Sequence, residues 1–204
     1  YTLNKSDYSG RVTVPVLWDK KTKKIVSNES SEIIRMFNSS FNSITGNTDD
    51  YYPDGLKDTI DEVNRRVYDS INNGVYRCGF ATKQEAYEKA YQQLFEALDW
   101  VEGLLSKNNY LTGEIMTEAD WRLFTTLVRF DSVYHGHFKC NKQRIEYYPH
   151  ISNYLRQLYQ WKGIAETVNF KHIKRHYYFS HTMINPTQII PHGPKLDYSR
   201  PHNR

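Results

Sequence analysis

Cysteine is scarce: Cys78 and Cys140 are the only two in 204 residues. Two cysteines exclude a disulfide-stapled scaffold and fit a reducing compartment, so a cytoplasmic location is expected. No apolar run approaches the ~20 residues of a membrane-spanning helix, and the mean hydropathy is −0.75; no membrane partner is expected. An excess of one charge is missing as well, with 27 basic residues interleaved among 23 acidic ones. A nucleic-acid surface shows a clearer basic stripe, so no nucleic-acid partner is expected either. There is no phosphate-binding glycine loop, no G-x-G-x-x-G and no G-x-S-x-G. The opening YTLNKSDYSG carries neither an initiator methionine nor an apolar signal region, and it reads as the middle of a domain. The Asn-x-Ser sequons at Asn4, Asn28 and Asn38 therefore carry little weight. Aromatics are what the chain has in excess, with Tyr 17, Phe 9 and Trp 4. Tyrosine joins apolar area to a polar handle and suits semi-polar cavities or wet interfaces, although ordinary core packing also uses it.

Along the chain, VTVPVL (12–17) and Ile25–Val26 flank a charged WDKKTKK turn and predict a hairpin. Pro15 cannot donate to a ladder, so the first strand ends there, lies at an edge or bends, and a cis Val14–Pro15 bond is one way to bend it. Ser and Asn residues ahead of Ile33, Ile34 and Phe37 predict a helix start. Residues 38–55 have linker composition. From residue 56 the period becomes helical: Leu56, Ile60, Val63, Val67 and Ile71 share a face, with Asn73-Gly74 as the expected stop. Thr82–Glu85 has the pattern of a capping box opening a long helix, and Thr117–Asp120 opens another, with Met116 and Trp121 at staple positions. Pro149 suits the first turn of a helix carrying Ile151, Tyr154, Leu155, Leu158 and Trp161. A short helix is expected over 164–178. Residues 181–204, with four prolines, form an extended tail that is ordered only if it packs on the body or on a partner subunit.

Few residues offer chemistry. Cys78 lies near a helix start, where a thiol is acidified, but Thr82 holds the cap position and a buried structural cysteine is the better reading. Cys140 has Lys139 and Lys142 beside it, without a positioned base or a resolving cysteine. Of the eight histidines only His172 and His176 share a helical face, with no third ligand at a recognisable spacing, so no metal is expected. The Asn28–Ser31 segment is more informative. A helix N-terminus can hold a carboxylate, Ser30 would add a donor, and Glu29 could pair with an ammonium, which together suit an amino-acid zwitterion. On these residues alone, a plain N-cap remains the simpler account.

The segments together carry a resemblance. Val14-Pro15, the hairpin and Glu29-Ser30 opening a helix resemble the second half of a thioredoxin-like glutathione-binding domain. The helical part with its Thr117–Asp120 box resembles the second domain of the glutathione transferases. More specifically, the chain resembles the glutathionyl-hydroquinone reductases, the Xi-class transferases. The stretches that carry this are GRVTVPVLWD (10–19), VSNESSEIIRMFN (26–38), INNGVYRCGFAT (71–82) and LTGEIMTEADWRLFTTLVRFD (111–131). HFKCNK (137–142), GIAETVNFKHIKRHYY (163–178) and INPTQIIPHGP (184–194) continue it. The fold class implied is mainly α: the C-terminal part of a thioredoxin-like α/β domain (1–45), a linker (46–55), an all-helical transferase domain (56–180) and an extended tail (181–204).

The resemblance also implies roles. Val14 would offer its backbone to the glutathione cysteinyl unit beside a cis Pro15, Glu29 and Ser30 would hold the γ-glutamyl end, and Arg11 would assist with the carboxylates. Tyr76 and Tyr177 match tyrosines that line the hydroquinone pocket and bond the phenolic oxygen. Glutathione is then a co-substrate, an aromatic glutathionyl-hydroquinone is the substrate, and a homodimer is the expected assembly. The family nucleophile lies in a Cys-Pro-Trp-Ala motif ahead of the Val-Pro strand. Neither Cys78 nor Cys140 occupies that place, so the expectation is a chain lacking the catalytic segment, either a fragment of a longer enzyme or a truncation inactive alone. In the intact enzyme a cysteine thiolate would attack the glutathionyl sulfur, and a second glutathione would resolve the mixed disulfide. The competing reading is a non-catalytic transferase-like module for dimerisation or docking. A transferase using Ser or Tyr to activate glutathione would need a hydroxyl near the first strand.

Overall fold

A computed structural model describes residues 1–204 as two compact units, Tyr1–Asp54 and Gly55–Arg204. In the first unit, strands β1 (Leu17–Asp19) and β2 (Lys24–Ser27) pair antiparallel, with Leu17 opposite Ser27 and Trp18 opposite Ile25. The Asp19 carboxylate ties the turn, accepting from the Lys21 and Thr22 amides and the Thr22 hydroxyl. The strand expected over 12–17 is therefore wrong for most of its length. Residues 11–16 enter no ladder, and Val12 and Val14 are exposed. Pro15 has no N–H to give a neighbouring strand, and pairing resumes only at Leu17. The Val14–Pro15 bond is cis.

Helix α1 (Ser30–Ser39) follows, then α2 (Asn42–Thr45), which ends on Gly46 in the left-handed region at φ 69°. That conformation is open to glycine at no steric cost. Residues 47–54, linker-like in composition, return to α1. Asn38 accepts from the Tyr51 amide at 2.8 Å and donates to Asp50 at 2.7 Å, and the Arg35 guanidinium lies 3.7 Å over the Tyr52 ring.

The second unit is helical. Helix α3 (Lys57–Val67) passes through a π turn (Tyr68–Asn72) into α4 (Gly74–Gly79). Its buried stripe, Ile60, Val63, Val67, Ile71 and Val75, runs the whole rod. The stop expected at Asn73-Gly74 does not occur. Asn72 is spent on the Thr126 hydroxyl (2.6 Å) and the Arg122 carbonyl, and Gly74 is buried against Leu94; tertiary contact overrides the local stop signal. Helix α5 (Gln84–Leu105) supplies Leu94, Leu98, Val101 and Leu105 to the core. It starts one residue later than expected. Lys83 holds the cap without a side-chain bond, and the acid of the Thr82–Glu85 pattern falls out of step.

Helix α6 (Glu118–Arg129) runs through a second π turn (Phe130–Tyr134) into α7 (His135–His137). The Thr117–Asp120 capping box is formed. Helix α8 (Pro149–Tyr159) begins on its proline, and α9 (Phe170–Ser180) is capped by Asn169 accepting from the His172 amide. Three carboxylates fix the connections. Asp120 accepts from the Leu111 amide, Asp131 from the Ile145 and Glu146 amides, and Glu102 from the His150 and Ile151 amides. The last of these places a negative charge at the N-terminus of α8, where the helix dipole favours it. The tail lies along the body. Gln160 donates to the Tyr198 and Arg200 carbonyls, Arg200 pairs with Glu146, and Arg204 donates to the carbonyls of Leu105, Asn108 and Asn109.

Candidate functional site

In the first unit the segment 11–15 and the start of α1 are brought together by Asn28, whose side chain donates to the Thr13 hydroxyl at 3.2 Å. The Thr13 carbonyl and hydroxyl also meet the Tyr1 hydroxyl. The result is that Val14-Pro15 and Glu29-Ser30 are joined within one small unit. Capping of α1 is done by backbone. The Glu29 carbonyl accepts from the Glu32 and Ile33 amides, while the Ser27 hydroxyl accepts from the Glu29 amide and donates to Glu32. The Glu29 side chain makes no cap bond and is exposed, as is Ser30, so a carboxylate and a hydroxyl stand uncommitted at the helix start. Arg11 is exposed too; its carbonyl accepts from the Tyr8 hydroxyl. Thr13 carries no signal in the sequence, and Asn28 stands out there only as part of the Asn28–Ser31 helix start, because holding two segments together has no local signature.

In the second unit Tyr76 on α4 and Tyr177 on α9, 101 residues apart, share a hydroxyl–hydroxyl bond of 2.5 Å. A third tyrosine, Tyr134 on the second π turn, bonds Tyr177 at 2.8 Å. Tyr134 and Tyr177 are buried, whereas Tyr76 is 38% exposed. Tyr76 also lines an open depression of about 720 Å³ with Asn73, Phe80 and Lys89. Both rods carry a π turn at or just before the cluster, and each such turn takes up an extra residue within the helix. Burial pushes the Tyr134 and Tyr177 phenols far above the usual range, so both stay protonated. The aromatic wall is completed by Phe80, Phe138 and His181, with Phe138 stacked on Tyr134. Tyr134 and Phe138 read as core aromatics at i, i+4, and nothing local links either to Tyr177.

Against Phe138, His137 and His181 share a ring nitrogen contact of 3.2 Å. Burial, His181 and Lys139 hold His137 down to about 4, and burial with His176 lowers His181. The unfolded chain therefore takes up a proton before the folded one does. Stability should be level above pH ~6.5 and fall as pH drops towards about 4, with a slope of up to ~1.4 kcal/mol per pH unit for one proton. Urea midpoints at several pH values measure this. The variant His137→Phe should show a flatter acid limb, and an identical limb in both proteins would refute the assignment.

Cys78 and Cys140, read from sequence as separate and unremarkable, are buried near one another, and the Cys140 thiol donates to the Phe138 carbonyl. The neighbouring Cys78 thiol and burial push the Cys140 thiol up. Neither thiol should react with Ellman's reagent in the native protein, and both should react on denaturation; fast native labelling would show the pair to be accessible.

A family model described as the glutathione S-transferase C-terminal domain matches residues 84–157. The chain is 58% identical to the glutathionyl-hydroquinone reductase YqjG of Escherichia coli K12, over 97% of this chain and 60% of that protein. The glutathione-bound structure of that protein superposes with a TM-score of 0.98 at 57% identity, covering all of this chain and 66% of its own. Glutathione transferase Xi 1 of Trametes versicolor superposes at 0.92 with 54% identity, over 95% of this chain and 68% of its own. The chain belongs to the glutathione transferase family, in its Xi class. It spans about three fifths of the length of the curated relatives it matches.

Proposed function

We propose that this chain is part of a glutathione-dependent reductase of aromatic glutathionyl-hydroquinones. Glu29 and Ser30 hold the γ-glutamyl zwitterion of glutathione, the Val14 backbone beside Pro15 pairs with its cysteinyl unit, and Arg11 serves its carboxylates. Tyr76 and Tyr177 bond the phenolic oxygen. The nucleophile is a cysteine thiolate from a segment of the reductase outside residues 1–204, since Cys78 and Cys140 are buried. The thiolate attacks the glutathionyl sulfur, an S–S bond forms as the aryl C–S bond breaks, and the electron pair passes to the ring, which takes up a proton. The thiolate of a second glutathione then attacks the glutathionyl sulfur of the mixed disulfide, the enzyme thiolate leaves, and the products are hydroquinone and oxidised glutathione. A phenol donor at the ring oxygen stabilises the charge that develops there. The enzyme works as a cytoplasmic homodimer, needs no metal, and engages neither nucleic acid nor membrane.

The observation that carries this reading is the convergence of Tyr76 and Tyr177 from distant helices onto one hydroxyl pair. The protein purified from its source should convert a glutathionyl-hydroquinone and glutathione into hydroquinone and oxidised glutathione in equal amounts. Tyr76→Phe should lower kcat by about ten- to a hundredfold. Retention on glutathione-agarose without release of hydroquinone would leave a binding module instead of a reductase.

A further inference from the structure

The three clustered hydroxyls hold three protons, and their burial decides where each one goes. Tyr134 is 2% exposed and Tyr177 5%, whereas Tyr76 is 38% exposed. A buried O–H without an acceptor is costly, and an exposed one is not, because water accepts from it. If Tyr76 donated to Tyr177 and Tyr177 to Tyr134, the Tyr134 proton would be stranded in the core. If Tyr76 and Tyr134 both donated to Tyr177, the Tyr177 proton would be stranded instead. Only the order Tyr134 to Tyr177 to Tyr76 leaves the spare proton on the exposed hydroxyl. Tyr76 alone can turn its proton outward without leaving a buried donor unpaired.

We infer that Tyr134 is a positioning residue: from the closed end of a three-hydroxyl relay it directs the protons outward through Tyr177, so that Tyr76 donates its proton to the phenolic oxygen of the substrate. This rests on the reductase reading for its substrate, but the direction of the relay does not depend on that reading. Each bond in such a chain polarises the next, so Tyr134 makes Tyr76 the stronger donor through Tyr177. The burial that keeps Tyr134 and Tyr177 protonated keeps the relay intact at neutral pH.

The test uses the full-length protein with 3-fluorotyrosine placed at position 76 and its ¹⁹F shift followed against pH. In Tyr134→Phe, which keeps the ring and removes one hydroxyl, the midpoint at position 76 should rise by about half a pH unit or more. In Tyr177→Phe it should also rise, and the double variant should fall short of the sum of the two, because both act along one chain. An unmoved midpoint in Tyr134→Phe, or strictly additive shifts, would overturn the relay. With 2-glutathionyl-hydroquinone and glutathione, the unlabelled Tyr134→Phe enzyme should lose about tenfold in kcat with KM little changed. A shifted midpoint with unchanged kcat would overturn the positioning role. Should the wild-type protein release no hydroquinone at all, the reductase reading fails and the ¹⁹F titration alone decides the relay.

Discussion

Asp120→Ala should destabilise the protein by about 3–5 kcal/mol and lower its melting temperature by roughly 10 °C. Asp120 is fully buried. One carboxylate oxygen accepts from the Leu111 amide at 3.0 Å and the Tyr154 hydroxyl at 2.7 Å, and the other from the Thr117 amide at 2.8 Å. Truncation takes the acceptor from four donors at once, the Leu111 and Thr117 amides and the Tyr154 and Thr117 hydroxyls, of which only the last has a second partner, Thr112, in a part of the core that water does not reach. An unpaired buried donor costs about 1–3 kcal/mol, and neighbouring losses add incompletely, which sets the range. Asp120→Asn should fall between, since it keeps one acceptor oxygen but turns an amide donor towards another. Calorimetry on the three proteins decides this, and an alanine variant melting within about 2 °C of wild type would show that the network is not what holds this region.

Gly79→Ala is the second large effect, and its sign opposes the usual rule. In a helix this change ordinarily gains about 0.5–1 kcal/mol. Here a Cβ at position 79 would overlap the ring of Phe138, which is fully buried and stacked on Tyr134 and His181. With rings on both sides Phe138 cannot give way, so the overpacking cost, about 1–3 kcal/mol or more, outweighs the propensity gain. The expected result is a lower urea midpoint by that amount. Adding Phe138→Leu should restore part of it, although that change alone destabilises. Additive losses in the double variant would place the strain elsewhere.

Much of the helical unit was legible in the sequence because its signals are local. The stripe from Ile60 to Ile71 and the Thr117–Asp120 box each lie within a few turns, and both are present. The errors fall where a distant contact overrules a local preference. Asn73-Gly74 is a stop by composition, but Asn72 is held by Thr126 from another helix and the rod continues. The Val12–Leu17 run has strand composition, yet its backbone enters no ladder before Leu17. In the candidate site, Glu29-Ser30 was visible as a helix start. Tyr76 and Tyr177 entered only through resemblance, because no spacing relates residues 101 positions apart. Tyr134 went unnoticed, since a tyrosine in an aromatic helix looks like core until its hydroxyl is seen to have a destination.

The π turns have a genetic consequence. Each is a surplus of about one residue in an otherwise regular rod, so losing a single codon within Tyr68–Asn72 would let the helix close into ordinary α geometry. The five residues of a π turn sweep about the angle that four residues of α helix sweep, so the residues downstream would keep roughly their present direction. Tyr76 would stay near its partners, with the upstream stripe of Ile60, Val63 and Val67 still packed. The same deletion within the regular turns of Lys57–Val67 would instead turn the two sides of the cut against one another by about 100° about the axis. The coding sequence of this rod can therefore lose three nucleotides at the π turn far more safely than beside it.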